Sequence, residues 1–148
     1  MGIGEAIIED HDEFRKALAK VEKTTENDAE LRKQMLPHFM RMLYAHHAAE
    51  EETLFLAMEK KGKLKGMALD MTEEHRAMMI LLNDLELSGW DFKYWDHRLR
   101  PFREIFMIHL NKEEKALIPN LRTYFSQAEI DELSKGFDAV RSRVLDAK

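Results

Sequence analysis

The sequence predicts an all-α protein: an antiparallel, up-and-down four-helix bundle made of two repeated helical hairpins, followed by a short C-terminal helix. Three observations lead to this prediction. Apolar residues recur at helical spacing along the chain, only 6 Gly and 3 Pro interrupt its 148 residues, and the second half repeats the first. Such a composition is typical of long helices joined by short loops. The length fits one domain, residues 1–148, with the bundle at about 4–124.

The helices are placed from this periodicity and from the breaks in it. Ile7 and Phe14, for example, share one face of the first helix. Asn27-Asp28, Lys61–Lys63 and Ser88-Gly89 separate the later segments. The last helix begins with a capping-box sequence, and Gly136 is expected to weaken its middle. In chain order, the predicted helices span residues 4–24, 29–60, 66–88, 92–124 and 127–146.

The two halves align as a degenerate repeat. His11, in Glu-Asp-His, corresponds to His75, in Glu-Glu-His, and Pro37 corresponds to Pro101. The repeat predicts two equivalent hairpins related by a pseudo-twofold axis. Each proline falls within a long helical pattern, so it either kinks that helix or marks its true start.

Composition excludes several classes of function. A net charge of −5 without a long basic run argues against a nucleic-acid binder and against docking on anionic lipid. The absence of cysteine excludes disulfides, iron–sulfur clusters and thiolate zinc sites. No stretch is apolar enough to span a membrane, and the first residues do not resemble a secretory signal. The expectation is a cytoplasmic protein whose metal ligands are nitrogen and oxygen.

A short pattern, HxxxEExxL, occurs once in each half of the chain. A His and a Glu four residues apart lie on the same face of a helix, one turn from each other, and can therefore reach one buried metal. Two copies at matching places in the repeat make coincidence a poor explanation. The copies are His46, Glu50, Glu51 and Leu54, and His109, Glu113, Glu114 and Leu117.

Together with the histidines of the odd helices, the motifs supply four imidazoles and two carboxylates. Inward-facing positions of four bundled helices converge on the central axis. Mixed nitrogen and oxygen ligands suit iron, manganese or zinc, and iron fits a symmetric bundle site best. Two such carboxylates can each bridge a pair of metals. The predicted ligands are His11, His46, Glu50, His75, His109 and Glu113.

Other residues near the motifs have competing interpretations. His47 and Glu51 are also four residues apart, but alignment with the second motif favours His46 and Glu50. Glu51 and Glu114 either face solvent or accept a hydrogen bond from a ligand imidazole. The isolated histidines, His38 and His97, are interpreted as non-ligands.

The aromatic residues suggest packing roles. Five are expected to wall the metal site and exclude water: Phe39, Tyr44, Phe55, Phe102 and Phe106. A second aromatic group lies at the connection before the fourth helix, where packing onto the end of the bundle is favoured over a dimer surface. This group consists of Trp90, Phe92, Tyr94 and Trp95.

Over roughly residues 5–124 the chain resembles hemerythrin-like, HHE cation-binding domains. The similarity lies in the four segments that contain the predicted histidines, among them HHAAEEETLF and HLNKEEKALIP. The resemblance implies a non-haem di-iron centre with oxo or hydroxo and carboxylate bridges. It further implies that His11 and His46 bind one iron, that His75 and His109 bind the other, and that Glu50 and Glu113 bridge them.

One departure from that family shapes the expected function. Oxygen-carrying hemerythrins have a fifth histidine one turn after the helix-3 ligand, where this chain has Met79. The remaining ligands leave about one open position on each iron. This favours redox chemistry on O2, NO or peroxide, in detoxification or in an oxidative or nitrosative stress response, with an unidentified reductant.

The alternative function is an oxygen carrier, store or sensor without turnover. Enzyme activity is left open, as is the choice between a monomer and a homodimer. A ferritin-like oxidase is disfavoured because such bundles use Glu-x-x-His motifs, which the site positions lack.

Overall fold

Helices form wherever the sequence carries an apolar face, and no β-strand occurs among residues 1–147, which a computed structural model describes. The predicted helix boundaries agree with those observed to within a few residues. The largest shift is at the predicted fourth helix, which starts at Trp95 instead of residue 92, because residues 89–94 form turns. The helices are α1 Ile3–Glu22, α2 Ala29–Ala49, α3 Phe55–Glu59, α4 Lys65–Leu87, α5 Trp95–Lys112, α6 Leu121–Tyr124 and α7 Gln127–Asp146.

The four long helices α1, α2, α4 and α5 pack around one core as a helical bundle. Contacts join α1 to α2, α2 to α4, α4 to α5 and α5 back to α1. The antiparallel, up-and-down course of these helices stays a prediction. Helix α7 lies outside this ring and packs mainly against α2, with further contacts to α1.

Two long predicted helices change their winding at the motifs. A π-helical turn over Glu50–Leu54 joins α2 to α3, and a second one over Glu113–Leu117 follows α5. Single π-helical turns are rare in proteins, and those that do occur are often found at functional sites. Pro37 and Pro101 both lie inside their helices and therefore do not mark helix starts.

The buried core consists of two apolar clusters separated by a polar layer. The aromatic cluster includes Phe14, Phe39, Phe102 and Phe106, and it extends to Trp95 at one end of the bundle. The second cluster, here called the α7-side cluster, contains residues of every helix except α5 and includes Ile7, Phe55, Met71, Leu117 and Phe137. Along α1, α2 and α4, the predicted ligand histidine lies between a residue of one cluster and a residue of the other.

The C-terminal helix is an integral part of the packing. Its predicted capping box is confirmed: the Ser126 side chain accepts from the backbone N–H of Glu129, and Glu129 accepts from that of Ser126. Phe137 is completely buried in the α7-side cluster. A Cβ placed on Gly136 would lie 3.0 Å from Cγ2 of Thr53, so the glycine permits the close approach of α7 to the π-helical turn.

The connection before α5 packs onto the end of the bundle through Trp90, Phe92 and Trp95, as expected, whereas Tyr94 is 56% exposed. Trp95 is fully buried, and its indole N–H donates to the carbonyl of Leu85 at 3.3 Å. The buried guanidinium of Arg32 lies 4.3 Å over the Trp95 ring and donates to the carbonyls of Trp90 and Phe92. Among residues 1–147, no helix combines the length and apolarity needed to cross a bilayer.

Candidate metal centre

All six predicted ligand residues are buried and converge in the polar layer. They form two groups, in each of which one potential ligand atom per residue lies within 4.8 Å of the others. One group contains His11 and His46, the other contains His75 and His109, and both include Glu50 and Glu113. The two groups therefore overlap at the carboxylates.

Helix geometry explains how each motif reaches the site. His46 Nε2 lies 3.3 Å from Glu50 Oε1, and His109 Nε2 lies 2.8 Å from Glu113 Oε1, because residues four apart share a helix face. Both glutamates begin the π-helical turns. Each helix therefore changes from α-helical to π-helical winding at the glutamate itself.

Each carboxylate also reaches across to the opposite group. Glu50 Oε1 lies 3.3 Å from His75 Nε2, which is the same distance that separates it from His46 Nε2. Glu113 Oε1 lies 3.5 Å from His11 Nε2 in addition to its contact with His109. Every carboxylate thus contacts one histidine of each group, which is the arrangement that a bridging ligand requires.

A second row of carboxylates orients the four imidazoles. The Nδ1 atoms of His11, His46, His75 and His109 lie at 2.7, 2.8, 3.0 and 2.6 Å from a carboxylate oxygen. An ionised carboxylate can only accept, so each Nδ1 carries the proton and each Nε2 presents a lone pair to the interior. In the order of the histidines, the acceptors are Glu114, Asp10, Glu51 and Glu74.

With neutral imidazoles and ionised carboxylates, the groups that face the interior of the site are all acceptors. His75 Nε2 and His109 Nε2 face each other at 3.1 Å, although both are lone-pair atoms once their Nδ1 atoms are protonated. Both oxygens of Glu50 and of Glu113 are buried without a hydrogen-bond partner, as are the Nε2 atoms of His11 and His46. Buried acceptors are rarely left unpaired in folded proteins. This donor set fits cations with mixed nitrogen and oxygen coordination.

The two central carboxylates strongly influence each other's ionisation. Burial and the negative charge of Glu113 raise the pKa of Glu50. Burial alone would also raise the pKa of Glu113, but its close contacts with the Glu50 carboxyl and the His109 imidazole lower it well below the usual value. Two adjacent buried carboxyls cannot both ionise without compensation, so in the absence of metal the pair retains a proton.

Three of the four second-row carboxylates are themselves held by a cation. Asp10 pairs with Arg141 of α7, Glu114 with Arg15 at 2.6 Å, and Glu74 with Lys112. Glu51 is the exception. It makes no ion pair with a lysine or arginine in the part of the chain that the structure describes, and its side chain is 39% exposed.

His47 is a buried histidine that belongs to neither group. Its ring stacks on His75 with centroids 3.6 Å apart and an interplanar angle of 8°, and its Nδ1 is buried without a hydrogen-bond partner. Burial and the neighbouring His75 lower its pKa well below the usual value, so the ring is neutral. The remaining histidines, His38 and His97, are exposed and lie outside both groups.

The aromatic wall differs in part from the prediction. Phe55 is buried and contacts His75 with ring centroids 5.3 Å apart, whereas Tyr44 is 57% exposed and does not enclose the site. The expectation for Tyr44 was therefore wrong. Phe14 and Phe137 flank His46 at 5.2 and 5.7 Å, contacts that helical spacing alone did not reveal.

Several functional residues escaped the motif search. Asp10 and Glu74 lie immediately before His11 and His75, and their equivalent places in the repeat were an available signal. Arg141 carried no such signal, since it lies 131 positions from its partner Asp10. Glu51 and Glu114 take the second of their predicted alternatives and accept hydrogen bonds from imidazoles.

Comparison with known proteins identifies the family. The hemerythrin HHE cation binding domain model matches residues 3–121. A curated protein named DNA nickase, from Nostoc sp. (strain PCC 7120), is 23% identical over 144 residues; the match spans 97% of this chain but 40% of that protein. No solved structure matches significantly. The family match covers most of the chain and includes all six buried residues of the site, and the chain therefore belongs to the hemerythrin HHE cation-binding family.

Proposed function

We propose that this chain binds two iron ions and uses them to bind and chemically transform a small molecule such as peroxide, NO or O2. The observation that carries the proposal is the position of the two carboxylates. Glu50 and Glu113 each contact one histidine of either group, so that two adjacent metals would share both of them.

In this proposal the six residues divide the coordination between them. His11 and His46 bind one metal, His75 and His109 bind the other, and Glu50 and Glu113 bridge the two. A pair of redox-active metals would supply electrons to, or accept them from, the bound molecule. The protein orients the imidazoles through the second-row carboxylates and excludes bulk water through the two apolar clusters.

Redox chemistry is favoured over simple carriage by the composition of the site. Met79 stands one turn after His75, and it provides no imidazole. Four histidines, two shared glutamates and one bridging oxide would together leave about one exchangeable position on each six-coordinate metal. Carriage of one molecule needs a single controlled position, whereas two adjacent positions suit reactions at both metals.

The first test is metal content. Purified protein reconstituted with ferrous iron is expected to hold about two irons per chain and to develop near-ultraviolet absorption in air. The double variant His46→Ala/His109→Ala should lose this iron, because it removes one imidazole from each group. The matched control His38→Ala/His97→Ala removes two exposed histidines and should retain it. Wild-type protein without iron, or equal losses in both double variants, would overturn the proposal.

The second test separates turnover from carriage. The reduced protein should consume peroxide or NO, and exposure to O2 should oxidise it. A carrier would instead bleach reversibly when O2 is removed and would remain reduced. Manganese or zinc fits the same ligands, so metal analysis of protein purified from its native source decides which ion is physiological.

DNA cleavage, suggested by the name of the cyanobacterial relative, has weaker support in this chain. The match covers 40% of that protein. A net charge of −5 repels a polyanion, and DNA-binding domains are usually basic. Incubation of the iron-loaded chain with supercoiled plasmid should therefore leave it intact.

A further inference from the structure

We infer that small ligands reach the proposed metal pair through a cleft between α2 and α4, and that they bind at the metal held by His75 and His109, in contact with His47. The inference rests on the proposed function. To that function it adds the route by which ligands enter, the metal of the pair at which they bind, and a residue that contacts them. Its support is a set of differences between corresponding positions of the two halves of the sequence repeat.

The cleft extends from the surface to His75, one of the proposed ligands. Its volume is about 360 Å³, and its lining includes exposed Tyr44 at the rim and buried His47 and His75 at the floor. Thr72 and Met79 of α4 line the same cleft. The volume is sufficient for a molecule of two or three atoms beside these two rings.

The corresponding surface in the other half carries an ion pair. In the repeat, Met79 corresponds to Arg15, since both lie one turn after the histidine of an odd helix. Arg15 donates to Glu114 at 2.6 Å and to Asp12 at 3.2 Å, and so spans the surface beside His11. Met79 cannot form such pairs, and the acceptor that corresponds to Glu114, Glu51, has no cation. The side chains beside the two halves of the metal pair therefore differ, and only the His11 side carries this ion pair.

His47 also breaks the symmetry. Its counterpart after the second motif histidine is Leu110, which is buried in the aromatic cluster. His47 places a polar ring where the other half has an apolar one, 3.6 Å from His75 and 6.4 Å from His109 between ring centroids. The two rings are stacked and nearly parallel, so the ring nitrogens of His47 lie in a different plane from the His75 ring that faces the site. A buried Nδ1 without a hydrogen-bond partner instead fits a hydrogen bond with a bound ligand.

The test measures binding of azide, a small anionic probe, to the oxidised iron-loaded protein by absorbance. Met79→Arg introduces the residue that the other half of the repeat has at this position, Arg15, and the new guanidinium can pair with Glu51. We expect azide association to slow by at least about tenfold because the cleft is closed. Ile80→Arg adds the same charge at the adjacent, 56% exposed position and should leave the association rate unchanged.

Two further variants keep the inference testable should Met79→Arg fold poorly. Thr72→Trp fills the cleft without a charge and should slow azide association, whereas Ile8→Trp, at the corresponding place in α1, should not. His47→Leu copies Leu110 and should weaken azide affinity by about tenfold or more, as expected for loss of one hydrogen bond to an anion. Iron content is measured for every variant.

The outcomes separate this inference from the function on which it rests. Wild-type protein that binds no iron overturns the proposed function. Full iron content with wild-type azide kinetics in both Met79→Arg and Thr72→Trp overturns the cleft as the route. Slower association in Ile8→Trp than in Thr72→Trp places entry on the side of His11, and an unchanged affinity in His47→Leu removes that residue from ligand contact.

Discussion

Arg141, near the end of α7, forms an ion pair with Asp10 of α1. The other oxygen of the same carboxylate accepts a hydrogen bond from His46 Nδ1 at 2.8 Å. The C-terminal helix is therefore connected to the metal centre by a chain of three polar side chains. This connection gives α7 a role in the site that its position beyond the bundle does not suggest.

Replacement of Arg141 tests this connection. Arg141→Met should lower metal affinity by about three- to tenfold, less than the 10–100-fold typical of losing a direct partner of a ligand histidine. The physical reason is that Asp10 loses the charge that holds it against His46. A competition titration with a chelator measures the change. Arg143→Met, which removes an exposed pair with Glu52, should have little effect, and equal losses in the two variants would contradict the account.

Replacing a second-row carboxylate should lower metal affinity more than replacing an exposed carboxylate next to it. Glu74 accepts from His109 Nδ1 at 2.6 Å, and this hydrogen bond lowers the pKa of Glu74. Glu74→Gln should reduce metal affinity by about 10–100-fold, since a neutral amide makes His109 a weaker ligand. Glu73→Gln changes the preceding, exposed residue and should bind metal normally. Isothermal titration of both variants decides the point.

The two bridging carboxylates should oppose folding when metal is absent. Glu50 and Glu113 are fully buried with their oxygens unpaired. Burial beside Glu113 raises the pKa of Glu50, so folding of the metal-free protein at neutral pH must add a proton to this carboxyl. The amide of Glu50→Gln can donate to Glu113 without that cost. It should raise the free energy of unfolding of the metal-free protein by about 1–3 kcal/mol and abolish binding of two metals.

Urea unfolding of the metal-free protein measures that change. Glu132→Gln, at a side chain that is 80% exposed, serves as the control and should leave the free energy of unfolding within about 0.5 kcal/mol. A Glu50→Gln variant that is less stable than the wild type would show that the buried carboxylate has an unrecognised partner.

Removal of Phe137 should be costly for folding. Its ring is fully buried, contacts His46 and belongs to the α7-side cluster. Phe137→Ala should lower the free energy of unfolding by about 3–5 kcal/mol, through lost burial and a residual cavity. Leu87→Ala, at a residue that is 83% exposed, should change it by less than about 0.5 kcal/mol. Similar values for the two variants would mean that α7 docks only loosely.

The sequence was most informative where local periodicity decides the structure. Helical spacing placed the five main helices, and the repeated His and Glu spacing identified the six residues that the structure brings together. Both patterns depend on neighbours within one or two turns, which the sequence displays directly.

Features that depend on distant parts of the chain were not predictable in the same way. The π-helical turns at Glu50 and Glu113 were not predicted, because helical periodicity does not distinguish a π-helical turn from an α-helical one over five residues. The burial of His47 depends on α4, and the role of Arg141 depends on α1. For His47 a signal did exist, because Leu110 occupies its place in the other half of the repeat.

The central claim is that Glu50 and Glu113 are shared by two metals. Anomalous diffraction at the iron edge from crystals of the reconstituted protein tests it most directly. The account predicts two peaks about 3.5–4 Å apart, one beside His11 and His46 and the other beside His75 and His109, with both carboxylates touching both peaks. A single peak, or peaks away from Glu50 and Glu113, would contradict it.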